Sequence, residues 1–132
     1  MGKREIRVLL ADDEVHIRYL IRSIIRSEGY VVVGEANNGE DALALYREHR
    51  PDLTLMDINL PLKTGDEVLV EIMREDPDAK VVMLTMVADT ETVQRCLDLG
   101  ATNYILKSNS VETIRQMLRE AVNSLSLEET QP

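Results

Sequence analysis

Acidic, hydroxyl and amino side chains stand at the ends of four short apolar runs in this sequence. They are Asp12 and Asp13 after IRVLL, Asp57 after LTLM, Thr85 at the end of KVVMLT, and Lys107 after NYIL. Carboxylates that converge inside a protein repel one another, and a bound divalent cation removes that repulsion. Because ligation by a few oxygen atoms suits Mg²⁺, the acidic residues predict a magnesium site.

The same side chains have the chemistry of a phosphoryl-transfer site. One carboxylate that is more exposed than the others could attack phosphorus and become an aspartyl phosphate. Thr85 could donate its hydroxyl to one phosphoryl oxygen, and Lys107 could offer a cation to another. Each residue alone would be read as a strand end, a cap or a surface side chain, so the prediction depends on their occurring together.

Five apolar runs and five amphipathic stretches must position these residues. The runs cover residues 6–10, 30–36, 53–56, 80–85 and 103–106, and helical periodicity covers 15–28, 39–49, 66–75, 89–99 and 110–125. The runs are rich in Val, Ile and Leu and mostly lack polar alternation, which is typical of strands covered on both faces. The alternation predicts an α/β fold of five βα units, a doubly wound parallel sheet with helices on both faces.

The position of the acidic residues also predicts the order of the strands. In open parallel sheets, ligands bind at the carboxyl ends of the strands, where the strand order reverses. For Asp13 and Asp57 to meet, the first and third strands must be neighbours, and the second strand must lie on the far side of the first. The predicted order is therefore 2-1-3-4-5, the flavodoxin-like arrangement.

Length and composition limit the class of protein. A chain of 132 residues with 44% hydrophobic content can form one domain, expected at 5–125 with an acidic tail at 126–132. No apolar run approaches the ~20 residues that cross a bilayer, so no membrane contact is expected. The net charge of −9 argues against direct DNA binding, and the single cysteine, Cys96, favours a cytoplasmic location.

Together these residues resemble the receiver domain of a two-component response regulator, particularly the single-domain chemotaxis regulators, over roughly residues 5–122. The resemblance rests on Asp12 and Asp13, the stretch DINLPLKTG with Pro61 and Gly65, Thr85, Tyr104, and Lys107 three residues later. It implies a phosphoacceptor switch that catalyses only its own phosphorylation and dephosphorylation, and is not otherwise an enzyme. The implied partners are a sensor histidine kinase or phosphotransfer protein, an unknown output protein and, after phosphorylation, a second copy of the chain.

The resemblance also assigns roles to individual residues. Asp57 would accept the phosphoryl group. Mg²⁺ would be held by Asp13, Asp57 and the backbone carbonyl of Asn59, with Asp12 helping mainly through water. The remaining roles are switch hydroxyl for Thr85, phosphate contact for Lys107 and aromatic switch for Tyr104.

Two residues depart from the family pattern. Ser108 follows Lys107 where many receivers have a proline, often after a cis peptide. The resemblance therefore does not fix the geometry of that loop. Met86 follows Thr85 where small residues are usual, and is expected to restrict access to the site. Separately, Arg18, Arg22 and Arg26 form a row on one face of the first helix, which is either a solvated face or a docking surface for the kinase.

Three other classes of function are alternatives to the switch. A haloacid-type phosphohydrolase would have the pattern D-x-D after the first strand, whereas the acids here are adjacent. A nucleotide-binding fold would carry G-x-G-x-x-G or G-x-x-x-x-G-K-[ST], and the sequence has neither. An interaction module of the same fold that works without phosphorylation is the third alternative.

Overall fold

The computed structural model describes residues 5–86 and 90–130, and the side chains of these residues except 126–130. Over these ranges five strands alternate with five helices. The strands are β1 (Arg7–Ala11), β2 (Val31–Ala36), β3 (Leu53–Asp57), β4 (Val81–Thr85) and β5 (Asn103–Leu106). The helices are α1 (Val15–Ser27), α2 (Gly39–His49), α3 (Gly65–Glu75), α4 (Thr90–Asp98) and α5 (Val111–Thr130).

The predicted elements are confirmed, with small differences at their ends. The largest difference is in α5, which was expected to end at residue 125 and continues to Thr130. The expected start of the fourth helix at 89 lies outside the described residues, as do the last two residues of the expected tail. The domain boundary at 125 stays a prediction.

All five strands are parallel, and their order is β2-β1-β3-β4-β5, as predicted. Leu10 of β1 lies beside Leu55 of β3, and Asp57 lies beside Leu84 of β4. Thr85 in turn lies beside Leu106 of β5. The carboxyl ends of β1, β3, β4 and β5 therefore meet at one edge of the sheet.

Two hydrophobic clusters cover the two faces of the sheet. On one face α2, α3 and α4 bury Leu43, Leu69 and Cys96 against the strands. On the other face, α1 and α5 bury Ile25 and Leu118. The doubly wound arrangement follows because side chains of a strand alternate between faces, so a fully apolar strand needs helices on both sides.

Local sequence explains where several helices begin and end. Asn38 caps α2 by accepting a hydrogen bond from the backbone N–H of Asp41. Thr64 and Glu67 form a capping box at the start of α3. After α1 the chain turns at Gly29, whose φ of +84° is a conformation that favours glycine. In the described part of the chain, no helix is both long enough and apolar enough to cross a membrane.

A hydrogen bond under the α2–α3 surface gives a test of the packing. Tyr46 is 2% exposed, and its hydroxyl donates to Asp76 Oδ2 over 2.8 Å. We expect Tyr46→Phe to lower the free energy of unfolding by about 1 kcal/mol, because Asp76 loses a donor. The control is Tyr19→Phe. Because the Tyr19 side chain is 64% exposed, loss of its hydroxyl should change the free energy of unfolding little. Equal melting temperatures for the two variants in thermal denaturation would contradict this reading.

Candidate functional site

The ends of four strands bring buried polar side chains together. Asp12 follows β1, Asp57 ends β3, Thr85 ends β4 and Lys107 follows β5. Their exposed fractions are 0%, 4%, 7% and 6%. Among the described residues only six polar or charged residues are buried, and four of them are at this edge. Burying so many polar groups costs free energy, which indicates that the group is retained for function.

The Lys107 ammonium joins the acidic residues. Its Nζ lies 2.7 Å from Asp12 Oδ2, 2.9 Å from Glu14 Oε1 and 3.0 Å from Asp57 Oδ2. Burial alone would lower the pKa of this amine. Its contacts with the three carboxylates outweigh burial and hold the pKa of Lys107 well above its ordinary value. Lys107 is therefore a permanent cation within the site.

Asp12 is the most deeply buried of the carboxylates. Burial raises the pKa of its carboxyl group, although the contact with the Lys107 ammonium and the hydrogen bond from the Glu14 backbone oppose the change. Its Oδ1 accepts the backbone N–H of Glu14 over 2.8 Å. Its Oδ2 is in ion-pair contact with Lys107, but no described residue gives it a hydrogen bond of normal geometry. A buried oxygen in this condition has capacity for a further positive ligand or a water.

The donor set fits a hard divalent cation. One carboxylate oxygen from each of Asp12, Asp13, Glu14 and Asp57 lies within 4.8 Å of the others. All the donors are oxygen atoms, the ligand type of Mg²⁺. The three aspartates were predicted from the sequence, but Glu14 was not. Its only signal there was its place after two adjacent acids.

The expected difference in exposure between the carboxylates is only partly present. Asp13 is the exposed aspartate of the site, whereas Asp57 is 4% exposed and Asp12 is fully buried. Asp57 Oδ1 accepts the backbone N–H of Asn59 over 3.1 Å. This bond holds the loop after β3 beside the Asp57 carboxylate, and the nucleophile role of Asp57 stays a prediction.

That loop is held by close backbone contacts. The Pro61 carbonyl accepts hydrogen bonds from the N–H of Lys63 over 2.7 Å and from the N–H of Gly39 over 3.0 Å. Leu62, which lies between Pro61 and Lys63 in the chain, has a φ of +69°. A Cβ at Gly39 would lie 1.8 Å from the Lys63 carbonyl oxygen. A Cβ at Gly65 would lie 2.1 Å from the Asp57 carbonyl oxygen. Both positions therefore need glycine, and both fix the backbone beside the site.

The two departures from the family pattern have simple structural outcomes. The peptide bond between Lys107 and Ser108 is trans. Lys107 is held instead by its backbone N–H, which donates to the Thr85 carbonyl over 2.8 Å. Met86 is 52% exposed, so it lies at the surface beside Thr85 and is not a core residue.

Tyr104 lies away from the carboxylates, on the α4 side of the sheet. It is half-buried beside Met83 of β4 and packs against the cluster under α2, α3 and α4. A groove of about 220 Å³ separates it from α4, lined also by Thr90, Val93, Gln94 and Leu97. Tyr104 and Thr85 therefore lie on neighbouring strands, and their roles as aromatic switch and switch hydroxyl stay predictions.

Two arginines of the predicted basic row have partners within the chain. Arg18 Nη1 donates to the Asp12 carbonyl over 2.7 Å, and its Nε lies 3.3 Å from Glu35 Oε1. Arg22 Nη1 lies 3.1 Å from Glu35 Oε2. Arg26 is exposed. The row is therefore partly an internal ion network between α1 and β2.

Comparison with known proteins places this site in a family. Residues 8–119 match the response regulator receiver domain. The chemotaxis protein CheY of Thermotoga maritima is 38% identical over 81% of this chain and 87% of its own length. The protein CcdB of Bacillus subtilis is 43% identical over 76% of this chain and 84% of its own length.

Solved structures agree. The CheY chain of the CheX–CheY–BeF3–Mg complex from Borrelia burgdorferi superposes with a TM-score of 0.81 at 30% identity, covering 90% of this chain and 87% of that one. The receiver domain of NarL from Mycobacterium tuberculosis gives 0.83 at 26% identity, covering 92% and 98%. The fold and site define a receiver of two-component signalling. This chain belongs to the response regulator receiver domain family.

The balance of charge in the site predicts how the metal and Lys107 act on stability. Lys107→Met removes the ammonium and leaves the buried Asp12 beside Asp57 without a cation. Without Mg²⁺ we expect a loss of about 3 kcal/mol in the free energy of unfolding. Mg²⁺ should then raise the melting temperature of the variant more than that of the wild type, because it relieves the larger repulsion.

The control for this experiment is Lys63→Met. Lys63 pairs with Glu71 at the surface, where its side chain is 29% exposed. The control should lose at most about 1 kcal/mol and keep the wild-type response to Mg²⁺. An identical rise with Mg²⁺ in both variants would show that the metal does not bind beside Lys107.

Proposed function

We propose that this protein is a phosphorylatable signalling switch. Asp57 accepts a phosphoryl group, in the presence of Mg²⁺, from a sensor histidine kinase or a phosphotransfer protein. The proposal is carried by one observation, the Lys107 ammonium placed between buried Asp12 and Asp57 at the carboxyl edge of the sheet. Family membership supports it, as does the similar CheX–CheY complex, which contains beryllium fluoride and magnesium.

The residues present fit the roles that the reaction needs. Asp13, Asp57 and the backbone carbonyl of Asn59 would hold Mg²⁺, with Asp12 acting mainly through water. Bound Mg²⁺ supplies neutralisation of the charge on phosphoryl oxygens. An Asp57 oxygen forms the bond to phosphorus while the bond from phosphorus to the donor nitrogen breaks, and the electron pair stays on that nitrogen. Lys107 donates hydrogen bonds to the transferred oxygens, and Thr85 donates its hydroxyl.

The switch interpretation is preferred to a phosphohydrolase with general substrates. Asp12 and Asp57 are buried, and the backbone N–H of Asn59 donates to Asp57 itself. We therefore propose that the domain, residues 5–125, catalyses only the phosphorylation and dephosphorylation of its own aspartate. The single cysteine of the chain, Cys96, is free and buried, which supports a cytoplasmic location.

The phosphodonor would dock on the rim that surrounds the site. Five large apolar side chains are exposed in the described chain; four lie in the loops or first helical turns at this edge, and Tyr19 lies in the second turn of α1. They are Val15, Tyr19, Leu62, Met86 and Val111. Apolar residues gathered on one exposed face typically mark a protein interface. Because Glu35 engages Arg18 and Arg22, we assign the docking contact mainly to this apolar rim.

The signal would leave the site on the opposite side of β4. A phosphoryl group on Asp57 would attract the Thr85 hydroxyl, and the space released would admit the Tyr104 ring toward β4. The surface of α4, β5 and α5 would then bind an output protein or a second copy of the chain. We propose no contact of this domain with DNA or membrane.

Phosphorylation gives the direct test of the function. Incubation with acetyl phosphate and Mg²⁺ should add one phosphoryl group, measured as the intact protein mass, and Asp57→Asn should abolish it. The matched control is Asp66→Asn, because Asp66 is also a buried carboxylate but pairs with Arg95 of α4. Full modification of the Asp57 variant would place the acceptor elsewhere.

The coupling between site and surface has its own test. Beryllofluoride, a stable mimic of the phosphoryl group, should shift the NMR signals of the Tyr104 ring in the wild type. Thr85→Ala should still bind the mimic but lose most of this shift, because the hydroxyl that couples the two residues is absent. The ring of Tyr30, which packs on the α1–α5 face, is the internal control. A Tyr104 shift of wild-type size in the variant would refute the coupling.

A further inference from the structure

Glu14 occupies part of the hydrogen-bonding capacity of Lys107. An ammonium group has three N–H donors, and Lys107 Nζ lies within 3.0 Å of three carboxylates, those of Asp12, Glu14 and Asp57. The Lys107 side chain is 1% exposed, so water cannot reach it freely. An arriving phosphoryl oxygen must compete with these contacts for Lys107, which donates a hydrogen bond to Glu14 Oε1.

The burial of the three carboxylates indicates which contact opens. The side chains of Asp12 and Asp57 are 0% and 5% exposed. If either lost its contact with Lys107, contact with water would not replace it. The Glu14 side chain is 47% exposed and becomes hydrated as soon as it turns away. Releasing Glu14 therefore has the smallest desolvation cost.

We propose that Glu14 is a positioning residue that holds Lys107 in the unphosphorylated site and releases it when a phosphoryl group reaches Asp57. The inference rests on the proposed function. In the resting state Glu14 competes with the phosphoryl oxygens for Lys107. The contact therefore sets how readily the aspartyl phosphate forms and how long it lasts.

A role of the Glu14 side chain in helix capping is excluded by its contacts. Glu14 is the N-cap of α1, but its side chain makes no capping hydrogen bond. The backbone of Glu14 makes the local contacts instead. Its N–H donates to Asp12 Oδ1, and its carbonyl accepts a hydrogen bond from the N–H of Arg18. Side-chain substitutions at this position should therefore leave the start of the helix intact.

Two substitutions separate the reach of the side chain from its charge. Glu14→Gln keeps the length and removes the charge, whereas Glu14→Asp keeps the charge and is too short to retain the contact with Lys107. The control is Glu112→Gln in the first turn of α5, where the side chain is 84% exposed. Calorimetry measures the affinity of each variant for beryllofluoride at saturating Mg²⁺ and, separately, for Mg²⁺ alone.

Both Glu14 variants should bind beryllofluoride more tightly than the wild type, on the order of fivefold, the scale of one partly exposed ion pair. Release of bound beryllofluoride should be slower to a similar degree. Glu112→Gln should match the wild type in every measurement. A structural role alone would change the melting temperature without this gain in affinity.

Other results would overturn the inference. If only Glu14→Gln binds more tightly, the effect comes from net charge and not from the contact with Lys107. If both variants lose affinity for Mg²⁺ and for the mimic, Glu14 is a metal ligand. Wild-type affinities in both variants would refute the inference while leaving the proposed function intact. If neither the wild type nor the variants bind beryllofluoride with Mg²⁺, the proposed function fails and the inference fails with it.

Discussion

The need to neutralise a buried carboxylate organises this protein. Asp12 is fully buried next to Asp57, and the Lys107 ammonium is the cation that compensates both in the described structure. Lys107 is 95 residues after Asp12 in the sequence, so only the folded sheet can bring them together. The strand order places β5 at one end of the sheet and β1 near the other, yet the Lys107 ammonium lies 2.7 Å from Asp12 Oδ2. The site and the topology thus depend on one another.

The same constraint explains the rigidity around the site. The backbone of the β3–α3 loop contacts Gly39 and Gly65 so closely that no Cβ fits at either position. A loose loop would let water solvate the Asp57 carboxylate and would weaken every charge interaction in the site. The hydrogen bond from Asn59 to Asp57 and those from Lys63 and Gly39 to Pro61 keep the loop in place. Preorganisation of this kind is how a small protein can favour a charged transition state.

At the carboxyl edge of the sheet, charged and apolar side chains occupy different positions. Asp12, Asp57 and Lys107 are buried at this edge, whereas large apolar side chains are exposed around them. A partner that covers the rim would exclude water while its reactive group enters the site, which strengthens the interactions within. The arginines of α1 contribute to the structure through Glu35, so this helix both supports β2 and presents part of the rim. In the family to which the chain belongs, chemistry and recognition can therefore share one edge of the sheet.

The sequence alone determined the elements, their order in the sheet and the residues at the strand ends, because hydrophobic periodicity and the position of Asp12, Asp57, Thr85 and Lys107 are local signals. It could not determine which carboxylate would be exposed, since burial depends on how the β3–α3 loop folds over Asp57. Nor could it show that Glu14 reaches Lys107 or that Arg18 and Arg22 would pair with Glu35. The end of α5 was also misplaced by five residues, because an acidic tail carries no stop signal. The contacts of Glu14, Arg18 and Arg22 join residues that are distant in the chain, and such residues come together only when the sheet has formed.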